Sequence, residues 1–146
     1  MALLMRRGTN RDEDWLFELF RATMQNYIDK AWGWDELLQR EGFVTTLPAR
    51  QFQILESEGK AIASYHLSEK ADHLLLDMIL VIPEEQRLGH GSHMLELIKK
   101  DATEKGKPIE LSVLKTNPAI AFHRRLGFQQ IREDEHSVRM RWSPGD

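Results

Sequence analysis

Near the start of the chain, apolar side chains recur with the period of a helix. Trp15, Leu16, Leu19, Phe20 and Met24 share one face. Acidic residues fill positions 12–14 and Thr9 or Asn10 is placed to cap, which predicts a helix reaching about Asn26. A shorter helix is predicted after Trp34, with Leu37 and Leu38 inward and Gly42 near its end. From Gln51 the period drops to two. Phe52 and Ile54, then Ile62 and Ser64 beyond a Glu58-Gly59-Lys60 turn, predict a hairpin. Residues 73–82 read as one long strand stopped by Pro83. Residues 92–105 are amphipathic, turning Met94, Leu95, Leu97, Ile98 and Ala102 inward, and Gly106 and Pro108 close that helix. Residues 109–114 predict a buried strand, and Asn117-Pro118 opens a short helix ending near Gly127. Residues 128–131 and 138–142 predict two last strands. With residues 2–6 as an edge strand, the order is β-α-α-β-β-β-α-β-α-β-β, a mixed α/β pattern.

Composition narrows the class. The 146 residues are 41% apolar and 29% charged, a globular balance with enough length for one buried core, and one domain is expected over residues 1–146. No repeat, low-complexity tract or linker-like stretch divides the sequence. No apolar run reaches the length of a membrane span, and residues 1–7 lack the apolar stretch of a secretion signal. A cytoplasmic location with no membrane partner is therefore expected. The absence of cysteine excludes disulfides, thiolate metal sites and a cysteine nucleophile. No His/Asp/Glu group has metal-ligand spacing, and no Gly-x-Ser-x-Gly context is present. The net charge of −3, with basic residues dispersed, argues against nucleic-acid binding. Its distribution is uneven: residues 1–86 hold 9 Lys/Arg against 15 Asp/Glu, and residues 87–146 hold 11 against 8. An acidic front half suits an amine substrate and a basic back half a phosphorylated cofactor. Small domains also show such asymmetry by chance.

The most informative stretch is Val81-Ile82-Pro83-Glu84-Glu85-Gln86-Arg87-Leu88-Gly89-His90-Gly91-Ser92. A strand ends at a proline, a short loop follows, and two glycines open a helix. Backbone N–H groups at a helix start lack partners and lie at the positive end of its dipole. Gly89 and Gly91 remove side chains that would keep an anion away, while Arg87 and His90 add charge and Ser92 a hydroxyl. A Walker loop needs Gly-Lys-Ser/Thr, and this loop ends Gly-Ser-His. A dinucleotide fingerprint needs a third glycine where Met94 stands, and Glu110 falls at the start of the next strand rather than its end. The plain alternative is a tight strand-to-helix turn.

Taken whole, these residues resemble the Gln/Arg-x-x-Gly-x-Gly/Ala motif of the GNAT acetyltransferase superfamily, with Gln86, Gly89 and Gly91 at its defining positions. A second stretch, Asn117-Pro118-Ala119-Ile120-Ala121-Phe122-His123-Arg124-Arg125-Leu126-Gly127-Phe128, is similar to that superfamily's Asn-Pro-Ala … Tyr-x-x-Leu-Gly-Phe signature. The resemblance covers nearly the whole chain. It implies a central mixed sheet of about seven strands flanked by about four helices, and acetyl-CoA as cofactor. Backbone groups near Leu80 and Val81 are then expected to pair with the pantetheine amides, and N–H groups of Arg87, Leu88, Gly89, His90, Gly91 and Ser92 to hold the pyrophosphate. Asn117, Ala119, Phe122 and His123 are expected along the pantetheine arm. Leu126 and Phe128 read as core.

Acetyl transfer from a thioester to an amine needs a neutral amine, a stabilised oxyanion and a proton for the leaving thiolate. The resemblance implies a backbone N–H near Val81 for the oxyanion. Members of the superfamily usually carry a proton-donating tyrosine where this chain has His123. Imidazole can serve, because its reference pKa of about 6.5 lies below the roughly 8.5 of a thiol. Neighbouring Arg124 and Arg125 are expected to disfavour its charged form. Asp77, inside an apolar strand, is the candidate base, with His66, His73 and Glu56 as weaker alternatives. Tyr27, Trp32 and Trp34, with Asp29, Asp35 and Glu36 nearby, form an aromatic and acidic stretch suited to an ammonium-bearing acceptor, whether small molecule or peptide. A competing reading is an acyl-CoA-binding sensor with little turnover. The resemblance also implies a possible homodimer.

Overall fold

A computed structural model describes residues 2–145, so the ends of the 1–146 span, Met1 and Asp146, lie outside the described residues. Strand β1 (Leu3–Arg7) leads through a short turn at Asn10–Asp12 into helix α1 (Glu13–Trp32). The turn is held at its start: the Thr9 N–H donates to Asp12 Oδ2 at 2.7 Å, and Arg6 donates to the same carboxylate from β1. Paired with Arg6, Asp12 titrates well below the usual carboxylate range, at about 2. Helix α1 runs six residues past the predicted end at Asn26, until Gly33 adopts a φ of 88° and donates to the Asp29 carbonyl.

Helix α2 (Glu36–Thr46) starts where the Asp35 carboxylate accepts the Leu38 N–H at 3.1 Å. Two expectations fail here. Gly42 does not end the helix, which continues to Thr46, and Leu37 and Leu38 do not face inward, being 82% and 67% exposed. Its buried residue is Phe43, packed on Phe17, Phe20 and Phe52. A helix turns about 100° per residue, which puts Leu38 and Leu37 roughly 140° and 120° round from Phe43, on its two outer flanks.

Strands β2 (Phe52–Ser57) and β3 (Lys60–Glu69) form the predicted hairpin, with Glu58 and Gly59 at φ of 53° and 80° in its two-residue turn. Strand β4 (Leu74–Val81), helix α3 (His90–Lys105), strand β5 (Ile109–Leu114), helix α4 (Ala119–Arg125), and strands β6 (Gln129–Glu133) and β7 (Ser137–Trp142) follow. Met94, Leu95, Ile98 and Ala102 of α3 are buried as expected, but Leu97 is exposed.

The seven strands lie in the order β1-β2-β3-β4-β5-β7-β6. Helices α1 and α2 cover one face, where Leu16, Phe17, Phe20 and Phe43 meet Phe52, Ile54 and Leu80. Helices α3 and α4 cover the other, where Leu95 and Ile98 meet Leu74, Leu76, Leu111, Phe128 and Met140. Each large side chain so enclosed stabilises the fold by about 1.5–3 kcal/mol.

Two irregularities of β4 shape the functional region. All pairings are antiparallel except β4 with β5, and that parallel pair holds for only three positions, 74 with 109, 75 with 110 and 76 with 111. Beyond Leu76 the two strands part. Against β3 the register slips at the same level: His66 faces Met78 but Leu67 faces Leu76, leaving Asp77 as the extra residue of a bulge. The bulge reverses which side of the sheet the later residues face. Leu74 and Leu76 belong to the α3 core, whereas Met78 and Leu80 pack on the α1 side.

Candidate active site

The parting of β4 from β5 opens a cavity of about 670 Å³. Its walls are β4 from Leu76 to Val81, β5 from Leu111 to Leu114, the loop into α3, the start of α4, and Thr23, Met24 and Tyr27 from α1. Hydrogen-bonding direction alternates along an antiparallel ladder. Because the Ile82 N–H donates to the Ile62 carbonyl at 2.9 Å, Leu80 directs its backbone groups to Ser64, and Ile79 and Val81 direct theirs toward β5. β5 is no longer alongside. The Val81 carbonyl accepts from Gln86 Nε2 at 3.0 Å. Of the two residues expected to offer backbone groups, Val81 turns its own to that edge and Leu80 turns its own to β3, while Ile79, not named from the sequence, faces the edge with Val81.

The loop from β4 to α3 is built for backbone exposure. Arg87 at φ 66° and Gly89 at φ 90° both lie in the left-handed region, an arrangement that turns successive N–H groups to one side. The first N–H of the helix with an acceptor behind it is that of His93, bonded to the Gly89 carbonyl, and those of His90, Gly91 and Ser92 have no acceptor among the described residues. A Cβ on Gly91 would lie 3.1 Å from Phe122 Cζ, so the glycine lets α4 and its aromatic ring close on the loop. Gln86, Arg87, Gly89, Gly91 and Ser92 all line the cavity. Leu88 projects outward, and the His90 ring turns back to bond Glu85 at 3.1 Å, so neither side chain lines it. Exposed N–H groups, a backbone edge without a strand partner and a cradle opened by Gly89 and Gly91 fit the pantetheine and pyrophosphate of coenzyme A.

From the second signature, Asn117, Ala119, Phe122 and His123 reach the same cavity. Asn117 Oδ1 accepts the Ala119 N–H at 2.9 Å and so also fixes the start of α4. His123 is only 4% exposed, its ring set between those of Phe122 and Phe128. Burial pushes its pKa down to about 4. The expectation that Arg124 and Arg125 would do this is corrected: removal from water is the cause. His123 Nδ1 is enclosed without a partner. An orphaned buried N–H is rarer than an orphaned lone pair, so the neutral ring carries its proton on Nε2.

Asp77, on the bulge, lines the cavity, and its Oδ2 accepts from His66 Nδ1 at 2.8 Å and from Ser68 Oγ at 2.6 Å. Burial acts to raise its pKa, but those two donors outweigh it and hold the carboxyl below the usual range. None of the three weaker base candidates lines the cavity: His66 is bonded to Asp77 itself, Glu56 to Arg6 and His73 to Asp72. Of the three aromatic acceptor candidates, Tyr27 lines the cavity and the other two do not. Trp34 packs on Phe20 and donates to Glu36, and Trp32 is 59% exposed against His136. Helical spacing put Met24 on the inward face without marking it as a site residue, Thr23 carried no signal, and no sequence pattern signalled Ile79 or Ser112, whose place depends on where β4 and β5 part. No cluster able to hold a metal ion occurs among the described residues, and no helix there is long and apolar enough to cross a membrane.

Residues 13–128 match the model of the acetyltransferase (GNAT) family. No curated protein sequence matches the chain significantly. Among solved structures, the PaiA N-acetyltransferase of Thermoplasma acidophilum, in complex with coenzyme A, superposes with a TM-score of 0.81 at 17% identity, over 98% of this chain and 99% of that one. The ribosomal-protein-S18-alanine N-acetyltransferase of Escherichia coli gives 0.76 at 20% identity, over 99% and 96%. An acetyltransferase of Thermus thermophilus gives 0.76 at 18%, over 98% and 97%. At these identities the likeness is one of fold.

Proposed function

The chain belongs to the acetyltransferase (GNAT) family, and from that membership we propose that it passes an acetyl group from acetyl-CoA to an amine by direct attack, with donor and acceptor bound together. The observation that carries this reading is convergence. The unpaired edge of β4, the free N–H groups of α3 and the buried His123 all open on one cavity.

In this reading Ile79 and Val81 hold the pantetheine amides along β4, and the N–H groups from Arg87 to Ser92 hold the pyrophosphate. Phe122 packs against the arm and Asn117 bonds it. Bound acetyl-CoA supplies the activated acetyl thioester. The backbone N–H of Val81 is a donor for charge developing on the carbonyl oxygen. Asp77 stays ionised at neutral pH and so is in the form that accepts a proton from the amine, directly or through water. Tyr27 and Thr23 of α1 border the acceptor side, which takes a small-molecule or peptide amine.

His123 holds a proton at Nε2 for the leaving sulfur. With a pKa of about 4, roughly one molecule in a thousand carries the imidazolium at pH 7, so the neutral ring acts mainly by donating a hydrogen bond. That observation also favours a second reading, an acyl-CoA sensor with little turnover. Release of free thiol from acetyl-CoA, measured with a panel of amines, separates the two. Transfer predicts release that His123→Ala loses and His123→Tyr retains. Tight coenzyme A binding with no release for any amine selects the sensor.

A further inference from the structure

His66 is one of the few polar residues fully enclosed in the sheet, 2% exposed, and it does not line the cavity. It sits on β3, across the bulge from Asp77, and both of its ring nitrogens are engaged. Nδ1 donates to Asp77 Oδ2 at 2.8 Å, and Nε2 stands 3.1 Å from Oε1 of Gln51, whose amide turned over would present its NH2 to the lone pair of the neutral ring. The Phe52 ring stands edge-on to the imidazole, with centroids 5.0 Å apart. Ser68, two residues along β3, donates to the same Asp77 oxygen at 2.6 Å. Asp77 is therefore clamped by two donors from one neighbouring strand, both on Oδ2, while Oδ1 receives no hydrogen bond from the described residues.

A buried histidine with both nitrogens bonded, beside a bulge, is more than core filling. A bulge re-aims a side chain but leaves it free to turn about its own χ angles. The clamp removes that freedom. We propose that His66 is the positioning residue of the acceptor half of the site: by holding Asp77 Oδ2 against β3, it presents Oδ1 to the cleft to take the proton of the attacking amine. This rests on the transfer reading above. His66 acts only through Asp77 and touches no substrate. The charge of Lys70 also favours the Asp77 carboxylate.

Two measurements test the role, with coenzyme A affinity as the check that each variant is folded. In proton NMR of the wild type, the His66 N–H bonded to Asp77 is expected as a low-field resonance protected from solvent, lost in Asp77→Asn. In the thiol-release assay with the best amine of a panel, His66→Ala is expected to lower kcat about ten- to a hundredfold, the scale of a misplaced catalytic group. The KM for acetyl-CoA is expected to stay within about twofold. His66→Asn, which keeps a donor where Nδ1 stands, is expected to restore most of kcat. Equal loss in the Ala and Asn variants, or no loss in either, overturns the role, and absence of the resonance overturns the pair. Absence of thiol release from the wild type with every amine overturns the transfer reading and the catalytic role with it, leaving the pair to the NMR result.

Discussion

Leu76 and Leu111 are the last residues of β4 and β5 that face each other, and the cavity begins where they stop. Both are buried in the core under α3, so the point of divergence is fixed by packing on the same residues that hold the sheet together. Above it β4 relies on β3 and β5 relies on β7, and the backbone edges left over become the walls of a binding site. Asp77, the residue after Leu76, bulges out at the same level, so the placing of its carboxylate and the opening share one cause.

Gly91 is where the loop into α3 comes closest to α4. An added Cβ meets Phe122 at 3.1 Å, which requires the ring to give by a few tenths of an ångström. Alanine also favours the helix by up to about 1 kcal/mol over glycine. Gly91→Ala is therefore expected to leave thermal stability nearly unchanged and to weaken coenzyme A binding only severalfold. Gly91→Val, with two further methyl groups directed at Phe122, is expected to weaken it far more. Isothermal titration with coenzyme A distinguishes this from a loop that ignores side-chain volume, for which the two variants bind alike.

His123 links the site to pH. Its folded-state pKa of about 4 lies below the unfolded value of about 6.5, so the folded state binds the proton less readily. Its contribution is full above about pH 6.5 and is lost as the pH falls toward 4, reaching roughly 2 kcal/mol by pH 5. Urea unfolding at pH 7 and pH 5 measures that loss. His123→Phe, uncharged at both, is expected to remove most of it; an unchanged difference between the two pH values would show that the ring is not held neutral by burial.

Much of this was legible in the sequence because the relevant signals are local. Two glycines after a strand, the cap at Asn117 and the alternation at Phe52, Ile54 and Ile62 each report on neighbours a few residues away. The loop from Gln86 to Ser92 and the order of elements needed nothing more. What escaped depends on contacts between distant segments. Whether Leu80 or Ile79 turns its amide to the cleft is decided by the register with Ser64, and the bulge at Asp77 has no marker of its own. The pairing of His66 with Asp77 follows from that bulge. Trp32 and Trp34 misled because aromatic residues beside acids look the same whether they line a cleft or, as here, pack on Phe20 and His136.

Helix α2 gives a direct test of which face matters. Leu37 and Leu38 project into solvent, whereas Phe43 is enclosed by Phe17, Phe20 and Phe52. Replacing Leu37 and Leu38 together by glutamine is expected to change unfolding free energy by no more than about 0.5 kcal/mol per site. Phe43→Ala is expected to cost about 3–5 kcal/mol. A large loss from the leucine pair would mean that this face is covered by something in solution, and sedimentation at increasing protein concentration would then reveal a second copy.

Strand β5 has β7 as its neighbour along its whole length but β4 for only half, and a buried carboxylate reinforces the side that remains. Glu110 stands opposite Arg141 in the ladder and bonds it at 2.8 Å, with Arg139 on its other oxygen at 3.0 Å. Burial acts to raise its pKa, yet the two guanidiniums prevail and the carboxyl titrates below its usual 4.5. A lowered acid contributes stability above the unfolded value and loses it as the pH drops through the folded one. Glu110 therefore acts in a window below about pH 4.5, under that of His123. Glu110→Gln keeps the shape but loses the charge, and because both arginines remain partly in water the expected cost at pH 7 is about 1–2 kcal/mol. The variant and wild type should draw together in stability as the pH falls below about 4.5. Unfolding curves that stay separated through that range would show that packing, and not the ion pair, accounts for the loss.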